Sequence, residues 1–108
     1  MKLQQRIDNL INASKDNFIK RGNHSSTLEV EQRPGRKYIK IVNRTVGLNK
    51  LGGAEAWSVW CFIDKDGNVY KPASYKAPAK HIRYCLLDDA SYQEALTKAD
   101  WAGSWLYL

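Results

Sequence analysis

His24, Cys61, His81 and Cys85 are the only imidazoles and thiols in this 108-residue chain, so metal or nucleophile chemistry has little to draw on. Zinc modules need paired C-x-x-C and H-x-x-x-H type clusters, and the chain has none. Only His81 and Cys85 have a useful spacing, one helical turn apart. They would form a Cys-His pair with nothing to orient the imidazole. Cys61 lies in an apolar run and reads as a core residue. Asp64-Lys65-Asp66 begins like a calcium loop, but Gly67 comes too early and Tyr75 stands where a closing carboxylate belongs. A hairpin turn is the simpler reading. Phosphate-binding and dinucleotide-binding glycine patterns are absent. The expectation is a protein that is not an enzyme, with no cofactor and no metal.

The residues with more to say are basic. Lys plus Arg number 17 against 11 Asp plus Glu, a formal charge of +6, and the excess is uneven. Residues 71–85 hold four basic side chains and no acid. Lys71, Lys76, Lys80 and Arg83 alternate there with Tyr75, His81 and Tyr84. Cations hold phosphates while aromatic rings stack on unpaired bases, so this mixture reads as nucleic-acid binding. A helix starting near Pro78 would add free backbone N–H groups and a positive dipole end as an anion site. The bland reading is a solvated basic loop whose Ala and Pro residues pack closely.

Two further groups belong to the same question. Arg36, Lys37 and Lys40, with Arg33, Tyr38, Val42 and Arg44, surround a hairpin whose polar face would offer a second platform for a strand. Glu29 and Glu31 on that face would neutralise it. Trp57 and Trp60 fall on opposite faces of one strand, and Trp101 and Trp105 lie near the C-terminus. Core packing accounts for some of the four; one exposed Trp would anchor a base or a protein partner.

Trp60-Cys61-Phe62-Ile63, the Asp66-Gly67 turn, Lys71-x-Ala73-x-Tyr75-Lys76-Ala77-Pro78-Ala79-Lys80-His81-x-Arg83, and Asp100-Trp101-Ala102-Gly103-Ser104-Trp105-Leu106-Tyr107 resemble segments of small uncharacterised proteins encoded by tailed bacteriophages. The resemblance covers residues 57–108. It implies a phage setting in a host cytoplasm. Small basic proteins of that setting bind nucleic acid or block a host or defence protein, for example one of CRISPR type.

The elements that must carry these residues follow from periodicity. Leu3, Ile7, Leu10, Ile11, Phe18 and Ile19 form the apolar stripe of a helix over 3–20, interrupted by Ser14 and stopped at Gly22. Residues 27–44 form a hairpin with Pro34-Gly35 as its turn. That turn pairs Val30 with Ile39 and Leu28 with Ile41 on one face, and Glu29 with Lys40 and Glu31 with Tyr38 on the other. Residues 46–55 are a glycine-rich loop. Residues 57–63 are apolar on both faces, as in a central strand covered on two sides. Gly67 is the left-handed residue of the next turn, and Val69–Lys71 returns as a strand ended by Pro72. A short helix or turn is expected over Pro78–Cys85. Ser91-x-x-Glu94 is a capping box for a helix carrying Tyr92, Ala95, Leu96 and Ala99. Ser104–Leu108 reads as a terminal strand, with Trp105 and Tyr107 on one face and an edge that could pair copies of the chain into a homo-oligomer.

At 12.4 kDa and 44% apolar residues, the chain supports one core and is read as a single domain, 1–108. The fold class expected is α+β: an antiparallel sheet of four or five strands packed against an N-terminal helix and short C-terminal helices. No run approaches a membrane span, and Met1–Arg6 lacks a signal-peptide core, so a soluble cytoplasmic protein with no membrane contact is expected. Its partner would be nucleic acid of either strandedness and low specificity, held by Lys71, Tyr75, Lys76, Lys80, His81 and Arg83 with Arg36, Lys37 and Lys40. The alternative is direct binding to a host or defence protein.

Overall fold

A computed structural model describes residues 2–22, 26–47 and 56–107. The fold is α+β. Helix α1 (Leu3–Lys20) leads into five strands: β1 (Ser26–Pro34), β2 (Tyr38–Gly47), β3 (Ser58–Asp64), β4 (Asn68–Pro72) and β5 (Pro78–Cys85). Helix α2 (Asp89–Lys98) and a 3-10 helix at Ser104–Tyr107 follow. The sheet is an antiparallel meander in the order β1-β2-β3-β4-β5, so each strand pairs with its neighbour in sequence.

α1 buries Ile7, Leu10, Ile11 and Phe18 as the stripe predicts, but Ile19 is 54% exposed. Ser14 takes its place on the buried side, where its hydroxyl donates to the Ile11 carbonyl at 2.7 Å. That hydrogen bond removes the cost of burying a polar group inside the stripe. Gly22, at φ +87°, ends the helix in the left-handed region. Arg6 fastens α1 to the far end of the chain. Its guanidinium donates to the Leu86 carbonyl at 2.8 Å and to Asp89 at 2.7 Å, and lies 4.5 Å from the centre of the Tyr92 ring.

The β1–β2 register differs from the expected one. Val30 pairs with Asn43 and Leu28 with Thr45, four positions further along β2 than predicted. Arg36-Lys37 form the tip, and Gly35 N–H donates to the Tyr38 carbonyl at 2.8 Å. Pro34 therefore sits in the edge strand, where its missing N–H costs no ladder bond. The new register brings Glu29 opposite Arg44, and the two side chains meet at 2.7 Å. Because the slip is an even number, every side chain keeps its expected face.

A bulge interrupts the β2–β3 pairing: Ile41 faces Cys61 but Val42 faces Val59, leaving Trp60 as the extra residue. Trp60 and Cys61 consequently both enter the core between sheet and helices. They pack there with Ile7, Leu10, Ile41, Ile63, Val69 and Leu86. Trp60 Nε1 donates to the Asp100 carbonyl at 2.8 Å. Trp105 stacks on Tyr84 at 5.0 Å between ring centroids.

Three C-terminal expectations are corrected. Pro78–Cys85 is a strand, since Tyr84 and Ile82 find sheet partners in Val69 and Tyr70, which outweighs the helix-start signal of Pro78. α2 begins at Asp89 with Asp88 as its N-cap residue, and Ser91 instead accepts the Cys85 N–H at 2.8 Å. Ser104–Tyr107 is a 3-10 helix, with Trp105 buried and Tyr107 outward. The predicted terminal strand edge therefore does not form, and the self-pairing argued from it loses that basis. The core assignment predicts that Leu10→Ala lowers unfolding free energy by about 3 kcal/mol. Ile19→Ala, further along the same helix but outside the buried stripe, shifts the urea midpoint little.

Candidate nucleic-acid interface

The helices cover one face of the sheet. On the other, Val42 is 0% and Phe62 3% exposed, although no described helix lies over them. A layer of long side chains shields this face. The Arg44 guanidinium lies 4.3 Å from the Trp57 ring centre, and that of Arg33 lies 5.3 Å from the same ring. Arg33 also donates to the Tyr75 hydroxyl at 2.9 Å, and Lys40 Nζ sits 4.1 Å from the Tyr75 ring centre. Arg44, Trp57, Arg33, Tyr75 and Lys40 thus form a continuous ladder in which cations alternate with aromatic rings, each contact favourable through the ring quadrupole or a hydrogen bond. Tyr38 packs edge-on to Phe62 at 6.0 Å and to Tyr70 at 5.7 Å, closing the layer on its other side.

Local sequence explains how Tyr75 arrives there. Ser74 Oγ accepts the N–H groups of Lys76 and Ala77, and the Ala77 carbonyl accepts those of Ala73 and Ser74. This tight β4–β5 turn brings Tyr75 to Arg33 of β1 and Lys40 of β2, across the open face. Tyr75 stays 47% exposed. Between the turn and β3 lies a cleft of about 350 Å³, lined by Trp57, Val59, Pro72, Ala73, Ser74 and Tyr75 among others.

Acids temper the charge. Glu31 pairs with Arg33 at 2.7 Å, and Glu29 with Arg44 at 2.7 Å. The Glu31 hydrogen bond raises the Arg33 pKa further above its ordinary value. Lys40 and Lys76 have no such carboxylate among the described residues.

At the β3–β4 turn Asp64 gathers four donors. Its Oδ1 accepts the N–H groups of Asp66 and Asn68, and its Oδ2 accepts Asn68 Nδ2 and the Tyr70 hydroxyl. Burial alone would raise its pKa, but these hydrogen bonds outweigh it and hold the carboxyl below the usual range. Tyr70 is pushed up to about 12, first by its hydrogen bond to Asp64 and then by burial. With both oxygens occupied by the chain itself, Asp64 closes the hairpin turn expected of it, with Gly67 at φ +84°.

The predicted binding residues are divided by this fold. Tyr75 and Lys40 meet on the open face, with Lys76 exposed in the adjoining turn. Lys80 and His81 are exposed on β5, an edge strand. Arg83 is the extra residue of a second bulge, facing a cleft shared with Glu94 and Lys98. Lys71 turns to the opposite side, 4.6 Å from the Tyr107 ring centre. Arg36 and Lys37 cap the β1–β2 tip, at the end of the sheet away from the β4–β5 turn. The helix N-terminus proposed at Pro78 does not exist, and with it goes the backbone anion site. His81 and Cys85, now four apart on a bulged strand, no longer share a helical face. His24 lies outside the described residues. Among the described residues no group of three or more His, Cys, Asp or Glu could hold a metal. Burial raises the Cys61 thiol pKa strongly. No described helix is long and apolar enough to cross a membrane.

Arg33, Arg44 and Trp57 are the additions that the acid-free segment alone did not suggest. The signal was present in the hairpin alternation, which puts Arg33 and Arg44 on the same face as Lys40.

Over residues 1–108 the chain matches the model of a family described as a family of unknown function, DUF7717. The chain belongs to that family. No curated protein and no solved structure matches it. Neither the family description nor the fold names a ligand, so the chemistry of the open face has to carry the functional argument.

The Asp64–Tyr70 pair has a defined pH response. The carboxylate's contribution to stability is present above the ordinary Asp pKa of about 3.9 and is lost as pH falls below it through the lowered folded value. The phenol's contribution is present below the ordinary Tyr pKa of about 10 and is lost as pH rises toward 12. Asp64→Asn is expected to return the Tyr70 pKa toward 10, followed by its ring carbon NMR shift, and to reduce the loss of stability in acid.

Proposed function

We propose that this chain is a non-catalytic nucleic-acid-binding protein whose contact surface is the helix-free sheet face and the adjoining β4–β5 turn. The observation that carries the reading is the cation–aromatic ladder of Arg44, Trp57, Arg33, Tyr75 and Lys40. Aromatic rings on a sheet face stack on bases without strong sequence preference, and neighbouring cations neutralise phosphates. Lys76 and Lys80 extend the positive charge beyond the ladder, and Arg36 and Lys37 offer a second, separate contact at the hairpin tip. Lys71, turned to the other side beside Tyr107, has no part in this surface.

A second reading draws on Ile82, 54% exposed on the edge strand β5 beside Lys80 and His81. An edge of that kind suits a protein partner that adds an acidic strand, in line with the phage-type inhibitor of a host or defence protein. Affinity capture from lysate after nuclease treatment separates the two. A stoichiometric protein that remains bound favours the second reading.

Fluorescence anisotropy with labelled oligonucleotides across a salt series tests the first. Log affinity should fall linearly with log salt concentration. Replacing Lys76 and Lys80 together by Ala should flatten the slope by about 1.4 on a single strand, at about 0.7 for each phosphate no longer neutralised. A double variant that binds as tightly as the parent, with the same slope, would exclude this surface.

A further inference from the structure

We infer that the cleft between Trp57 and the β4–β5 turn receives one unpaired nucleobase, which makes single-stranded nucleic acid the ligand of this face. The inference rests on the nucleic-acid reading above and adds the part of the ligand that the site grips.

The cleft is about 350 Å³, enough for one planar base together with ordered water. Its lining is mixed: the Trp57 and Tyr75 side chains, Val59, Pro72 and Ala73, with Ser58. The Ser74 hydroxyl also lines it. Ser74 Oγ already accepts two backbone N–H groups, so its own proton is left to donate to a base-edge acceptor. These are the features a nucleobase needs: faces that stack, and an edge that finds a donor.

Charge favours a nucleotide over an aromatic side chain of a peptide. Lys40 lies against the Tyr75 ring and Lys76 follows Tyr75 in the turn, both without a carboxylate partner among the described residues. A phosphodiester on either side of the seated base would neutralise them, whereas an uncharged peptide aromatic would leave both unpaired. Tyr75 is held by one hydrogen bond to Arg33 and one cation–ring contact with Lys40, on a half-exposed ring. It can therefore tilt to admit a base without disturbing the core. A base stacked and paired within a duplex cannot enter, because its faces are covered by its neighbours. It would first have to be flipped out, at a cost of a few kcal/mol.

The test uses the full chain and three labelled ligands of equal length: an oligothymidine strand, the same strand made abasic, and a blunt duplex. The parent protein should bind the base-bearing strand about tenfold or more tightly than the abasic strand, the range that base–aromatic stacking supplies. Trp57→Ala should remove that advantage, and Trp57→Phe should restore most of it. The melting temperature of each variant reports whether it is folded, and the parent's own preference for bases over abasic sites needs no variant. Equal binding of all three ligands, unaffected by Trp57→Ala, overturns the base cleft while leaving electrostatic nucleic-acid binding in place. Failure to bind any of the three at low salt overturns both.

Discussion

A sheet with helices on one side only must still exclude water from apolar residues on the other. In this chain that requirement falls on Val42 and Phe62, both fully or nearly fully buried on the helix-free face. A third layer of backbone would solve it, but the described residues spend both α-helices on the opposite side. Among the described residues the cover is made of side chains: rings and long basic stems, with the Arg33 and Arg44 heads paired to Glu31 and Glu29. Burial of an aliphatic stem and exposure of its cation are both favourable, so the cover is stable without being apolar. The same economy leaves an aromatic, positively charged surface where a plain two-layer fold would have a polar one. Structural need and binding capacity are met by the same residues.

Two of the sheet's register shifts decide which residues are available for that cover. At Trp60 the extra residue turns two consecutive large side chains toward the helices, deepening the core on that side. Alternation then resumes, and Trp57 emerges on the other face beside Arg44. At Arg83 a second extra residue twists the outer strand and breaks the regular ladder at the sheet's edge. A basic, irregular edge strand is poorly suited to pairing with copies of itself.

Much of the architecture was legible from period alone. α1, the central position of β3, the left-handed Gly67 and the α+β class all follow from spacing that tertiary contacts do not disturb. Face assignment in the first hairpin was also readable, because alternation survives any even slip. Register itself was not: Pro34-Gly35 has strong turn chemistry, yet the Glu29–Arg44 pair and the longer ladder favour the later tip. The segment after Pro72 was harder. Pro78 suits a helix start and the start of an edge strand equally well, and only the partners Val69 and Tyr70 choose between them. That choice separates Lys71 from Tyr75 and dissolves the apparent cluster of basic residues. The site was thus visible as composition and invisible as a surface, since cation–ring contacts join positions 33, 40, 44, 57 and 75 that share no short motif.

The fastening of α1 carries a consequence for the order of assembly. Arg6 reaches Leu86 and Asp89, Asn9 reaches Tyr92, and Asn17 accepts the N–H of Trp101, spans of 80 to 84 residues. A ribosome delivers the first helix long before any of these partners. The meander between them needs only pairings between successive strands, which close small loops and form early. α1 can therefore rest its Leu10 and Ile11 stripe on Ile41, Ile63 and Val69 of the sheet, but gains these polar fastenings only with the last third of the chain. The last third of the chain thus completes the attachment of the helix.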